Sequence, residues 1–121
     1  MSDYQMGTVE SRFADIIWQN APISSTELVR LAQESLGWKK STTYTVLKRL
    51  CEKGIFENSN AIVTPKLSRE EFHSLQSQKF VADTFQGSLP AFLTAFTSGK
   101  RLTQEEVRQL RQLIAEHEEG V

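Results

Sequence analysis

This chain has little of what covalent or metal chemistry requires. Its 121 residues hold one cysteine and two histidines. A single cysteine excludes an internal disulfide, and Cys51 falls inside an apolar helical pattern, where a thiol packs as a small hydrophobe. His73 and His117 lie in separate segments with no repeated His, Cys or carboxylate spacing, so neither a metal nor a cofactor is expected. No Gly-rich phosphate loop or dinucleotide fingerprint occurs, and no nucleophile stands beside a base. The chain therefore does not read as an enzyme. No apolar run approaches the roughly 20 residues that cross a bilayer. No basic stretch followed by an apolar one opens the chain, so no secretory leader is expected. A reducing cytoplasm, without membrane insertion, is the simple expectation. Six glycines, three prolines and 39% hydrophobic residues describe a globular protein rather than a disordered one. The length suits one compact domain or two very small ones.

Net charge is also scarce, at −1. Its distribution is uneven. Between residues 22 and 53, Arg30, Lys39, Lys40, Lys48, Arg49 and Lys53 face only Glu27, Glu34 and Glu52. Between 103 and 121, Arg108 and Arg111 face five glutamates. A basic front and an acidic tail direct a polyanion to the front alone.

Apolar spacing divides that front into three short helices. Val9, Phe13, Ile16 and Ile17 share one face of residues 8–19, which Gly7 or Thr8 starts and Pro22 stops. Ser24 and Glu27 stand at capping-box spacing before a stripe of Leu28, Leu31 and Ala32, and Gly37 follows as a C-cap. In the third helix Thr43, Val46, Leu47 and Leu50 share a face, and Gly54 ends it. After it, residues 55–65 read as two strands around an Asn58-Ser59-Asn60 turn, stopped by Pro65. Three helices followed by a hairpin form a helix-turn-helix with a wing, placed at residues 5–66. The fold class is mainly α with a small β hairpin.

Residues 67–119 read as three further helices. Ser68 with Glu71, and Thr103 with Glu106, repeat the capping-box spacing, and Pro90 suits a first turn. Phe72, Leu75, Phe80, Phe85, Leu89, Phe92, Leu93, Phe96, Val107, Leu110, Leu113 and Ile114 are too many large apolar groups for solvated helices. With no large body to pack against, they imply burial between two copies of the chain, as a homodimer.

The third helix carries the binding hypothesis. A helix fits the major groove, where side chains meet base edges. Ser41, Thr42 and Thr45 supply hydroxyls, Tyr44 reaches a phosphate or a base edge, and Lys39, Lys40, Lys48 and Arg49 neutralise phosphates. Trp38 has two compatible readings, sealing the inter-helix turn and laying its ring on the sugar-phosphate backbone. The wing holds Glu57 and no cation between Gly54 and Pro65, so it is expected to add little.

In order along the chain, "ESRFADIIW", Trp38 with "TTYTVLKRLCEKG", "TPKLSREEF" and "LTQEEVRQLRQLIAE" resemble the penicillinase-repressor family. This is the BlaI/MecI group, which also includes copper-responsive repressors. The resemblance implies a dimeric winged-helix transcriptional repressor on an inverted-repeat DNA operator. It also implies Thr42 as a base contact, Trp38 as a backbone contact and residues 68–119 as the dimer module. Beta-lactam-responsive members answer to a membrane sensor-protease pathway and are cut at an Asn-Phe bond in the fifth helix. The corresponding pair here is Ala95-Phe96. The chain departs in three further ways: Ser11 replaces a usual leucine, the wing lacks a Gly-Arg tip, and no C-terminal cysteine cluster is present. The alternative is a winged-helix module for a protein partner with weak or lost DNA binding, which the uncharged wing and near-neutral total charge favour.

Overall fold

Most helices of this chain start on a hydroxyl side chain. The computed structural model describes residues 4–119. Helix α1 spans Thr8–Asn20, α2 Ser25–Leu36, α3 Lys40–Glu52, α4 Arg69–Phe85, α5 Leu89–Gly99 and α6 Gln104–Glu119. At α4 the Ser68 hydroxyl accepts from the Glu71 N–H at 3.0 Å, and the Glu71 carboxylate accepts from the Ser68 N–H at 2.9 Å. Thr103 and Glu106 make the same reciprocal pair at α6, at 3.0 and 2.8 Å. Each box satisfies two backbone donors that the helix itself leaves open. At α2 only half the box forms. Ser24 Oγ accepts from the Glu27 N–H at 3.1 Å, while the Glu27 carboxylate turns to Arg30. Ser88 caps α5, with Pro90 in its first turn. Gly37, at φ 69°, takes the left-handed conformation that ends α2.

The sheet has three strands, one more than the hairpin. Strand β1 is Ile23–Ser24, β2 Phe56–Ser59 and β3 Ile62–Pro65, in the order β1-β3-β2, all antiparallel. Ile23 pairs with Val63, and Ser59 with Ile62. The expected turn at Asn58-Ser59-Asn60 is displaced. Asn58 and Ser59 belong to β2, and the turn is Asn60-Ala61, at φ 52° and 62°. Positive φ at both central residues gives the twist that a two-residue hairpin needs.

The chain folds as two compact units, Met1–Phe80 and Val81–Val121. In the first, α1, α2, α3 and the sheet enclose Phe13, Ile17, Leu28, Leu47, Leu50, Ile55, Phe56 and Val63. Phe72 joins them at 2% exposed, its ring 5.6 Å from that of Trp18 and 6.2 Å from that of Tyr4. The Trp18 indole N–H donates to the Leu67 carbonyl at 2.9 Å, and Arg69 lies over the indole while pairing with Asp15 at 3.0 Å. The start of α4 thus belongs to the first unit, and the division falls later than the expected border at 66/67. Within the second unit Phe85 meets Phe92 edge to face and Phe92 meets Phe96 at a tilt, with centroids 5.5 and 6.2 Å apart. No described residue after Phe72 is buried.

Candidate nucleic-acid interface

Helix α3 is two-faced because its apolar residues recur at helical spacing. Thr43, Val46, Leu47 and Leu50 are buried against the rest of the first unit. Lys39, Lys40, Ser41, Thr42, Thr45, Lys48 and Arg49 are exposed. Among the described residues no carboxylate pairs with Lys39, Lys40 or Lys48, so these three ammonium groups present their charge outward. No side chain caps the first turn of α3, which leaves its backbone donors open to an anionic oxygen. Thr45 donates its hydroxyl to the Ser41 carbonyl at 2.9 Å and keeps its oxygen as an acceptor.

Three expected contact residues are also used inside the fold. Trp38, half-buried, packs its ring 4.9 Å from that of Phe13 and seals the turn between α2 and α3. Arg49 donates to Glu10 of α1 at 2.9 Å, and the second Glu10 oxygen lies 3.8 Å from Lys53 Nζ. The Tyr44 hydroxyl donates to Ser25 Oγ at 3.3 Å. Sequence reasoning missed Ser25 entirely and met Glu10 only through family resemblance. Their partners stand 19 and 39 residues away, beyond the reach of any local pattern.

The wing stays close to the body. The Ala61 carbonyl, at its turn, accepts from the Ser25 N–H at 2.8 Å. Glu57, Asn58, Ser59 and Asn60 are exposed and bring no cation. Burial pushes the Cys51 thiol above its ordinary pKa, which suits a packed rather than a reactive cysteine. Among the described residues no three His, Cys, Asp or Glu side chains gather as a metal site, and no helix is long and apolar enough to cross a membrane.

The expected pairing residues fall into three groups. Phe72 departs from that expectation, because its ring is spent in the core of the first unit. Phe80, Leu89, Phe96, Leu113 and Ile114 are exposed, and Leu75, Phe85, Phe92, Leu93, Val107 and Leu110 are half-buried. The Ala95-Phe96 bond lies inside α5, where the Ala95 carbonyl accepts from the Ser98 hydroxyl at 2.8 Å.

Three helices, an uncapped third helix with a basic outer face and a short antiparallel sheet define a winged helix-turn-helix unit. Residues 6–116 match the penicillinase repressor family, and the chain belongs to it. The family is one of winged-helix, DNA-binding transcriptional repressors associated with antibiotic resistance, regulatory rather than catalytic. The chain is 24% identical to the penicillinase repressor of Bacillus licheniformis over 117 residues, covering 93% of this chain and 91% of that one. It is 23% identical over 115 residues to the methicillin resistance regulatory protein MecI of Staphylococcus aureus (strain Mu50 / ATCC 700699), covering 92% and 94%. The solution structure of the DNA-binding domain of the repressor BlaI shares the fold at a TM-score of 0.51 and 24% identity. It covers 59% of this chain and 93% of that one.

Proposed function

We propose that the chain is a sequence-specific repressor that binds an inverted-repeat operator in double-stranded DNA as a homodimer. The outward face of α3 carries the reading: Lys39, Lys40 and Lys48 stand beside Ser41 and Thr42 on a helix that fits a major groove. The lysines hold the phosphates, Ser41 and Thr42 meet base edges, and Trp38 meets the backbone with the edge it leaves uncovered. Two copies place two such helices in successive grooves, which matches an operator with two-fold symmetry. Copies pair through the second unit, whose Leu89, Phe96, Leu113 and Ile114 are left exposed by the single chain. Polymerase is then excluded by occupancy of the operator, and the protein works in the cytoplasm. The relatives' names, a penicillinase repressor and a methicillin resistance regulator, support a target of the resistance type. In a sensor-protease pathway, Ala95-Phe96 is the bond that corresponds to the inactivating cut.

The test is titration of the purified chain with the duplex directly upstream of its own coding region and with a scrambled duplex, at several salt concentrations. Tighter binding to the upstream duplex is expected, and equal affinity overturns sequence-specific repression. Thr42→Ala relaxes the discrimination, while Lys39→Ala weakens both duplexes alike. Sedimentation as a monomer at micromolar concentration overturns the dimer. A wing without cations supports a second reading, a protein-interaction module, and weak affinity for both duplexes at low salt favours it.

A further inference from the structure

We infer that Tyr44 is a positioning residue, which fixes the recognition helix through Ser25 to the turn of the wing; this rests on the repressor reading above. Tyr44 lies at the centre of the DNA-facing segment, between Thr42 and Thr45. Its hydroxyl nevertheless points inward, to Ser25 Oγ. Ser25 is only 5% exposed, so this hydrogen bond sits where water competes little. The same residue donates its backbone N–H to the Ala61 carbonyl. Ala61 is a turn residue of the hairpin, and β1, directly before Ser25, pairs with β3, directly after Ala61. A continuous path of hydrogen bonds therefore runs from the wing turn, through the first residue of α2, to the middle of α3.

This path gives a wing without cations a role in recognition without any contact to DNA. It sets the roll of α3 against α2 and so the direction in which Ser41 and Thr42 point. Hydrogen bonds to base edges weaken steeply with misalignment, whereas attraction between an ammonium and a phosphate changes gently with distance. Loss of the Tyr44 hydroxyl therefore harms the specific complex and spares the non-specific one.

Tyr44→Phe and Ser25→Ala each remove one partner of the same bond, and Ser25→Ala leaves every DNA-facing side chain in place. In the full chain, each is expected to lower affinity for the upstream duplex measurably, by up to about fivefold, the ceiling set by one net hydrogen bond. Affinity for the scrambled duplex and the slope of binding against salt are expected to stay unchanged. The double variant should be no weaker than either single one, because both remove one interaction. The inference is overturned if Tyr44→Phe weakens both duplexes alike, if Ser25→Ala is silent, if the two effects multiply, or if neither variant changes anything. Thermal melting checks that each variant is folded. Should Ser25→Ala unfold, the two duplexes still decide on Tyr44→Phe alone. A wild-type chain that binds both duplexes equally overturns the repressor reading and this inference together. Wild-type discrimination that survives in both variants overturns the inference alone.

Discussion

Phe72 and Ile114 are both apolar residues on amphipathic helices, yet one is 2% exposed and the other 57%. The contrast holds for the units around them. The first unit wraps its large side chains between three helices and a sheet until they leave water. The second has three helix stretches and no described residue fully covered. Each large apolar group left in water forgoes about 1.5–3 kcal/mol of burial free energy. The first unit thus has a covered core of its own, and the second leaves its large apolar groups at least partly in water.

Four measurements sharpen or break that contrast. The largest effect is expected from Phe72→Ala, which empties the space between Trp18 and Tyr4. It should destabilise the first unit by about 3–5 kcal/mol in urea unfolding. A change under about 1 kcal/mol would return Phe72 to the pairing surface. Next comes removal of residues 81–121. The remaining chain should stay folded and monomeric, and bind the upstream duplex about a hundredfold more weakly once two half-sites no longer act together. Undiminished affinity would show that pairing lies elsewhere. Ile114→Glu in the full chain should raise the dimer dissociation constant at least about tenfold in sedimentation while leaving the melting of the first unit alone.

The smallest effect belongs to the cap of α6. Hydrogen bonds from the Thr103 N–H, then the Thr103 hydroxyl pairing, hold the Glu106 carboxyl below its ordinary pKa. A depressed carboxyl stabilises the helix fully above the ordinary glutamate value and loses that contribution as pH falls through the lower, folded value. Amide shifts at the start of α6 should therefore stay constant from neutral pH down through the usual glutamate range and move only in stronger acid. Glu106→Gln should remove the step seen at the Thr103 amide, whose N–H bonds that carboxylate.

Local features were legible in the sequence, and distant pairings were not. The Ser68–Glu71 and Thr103–Glu106 boxes, the Gly37 cap and the buried face of α3 depend on residues within four positions of one another, so spacing alone reveals them. Strand β1 is two residues long and shows no period of its own. It exists because Val63 and Ile62, about 40 residues later, pair with it. Ala61 carries no sign of a positive φ, which pairing of Ser59 with Ile62 imposes on it. Apolar spacing placed Phe72 on an inner face without saying which body that face meets. The outward set on α3 was legible by charge and hydroxyl content, but the bonds of Tyr44 to Ser25 and of Arg49 to Glu10 depend on partners that lie on other helices.

The seat of Phe72 bears on the order of events during synthesis. Chains fold as they emerge, N-terminal part first. Helices α1 to α3 and the hairpin are complete by Pro65, but the rings of Trp18 and Phe56 still lack the one that closes over Trp18. A nascent chain that ends before residue 72 carries an open apolar seam, vulnerable to proteases and to its neighbours on the same message. The first unit is finished only once α4 has begun to leave the ribosome.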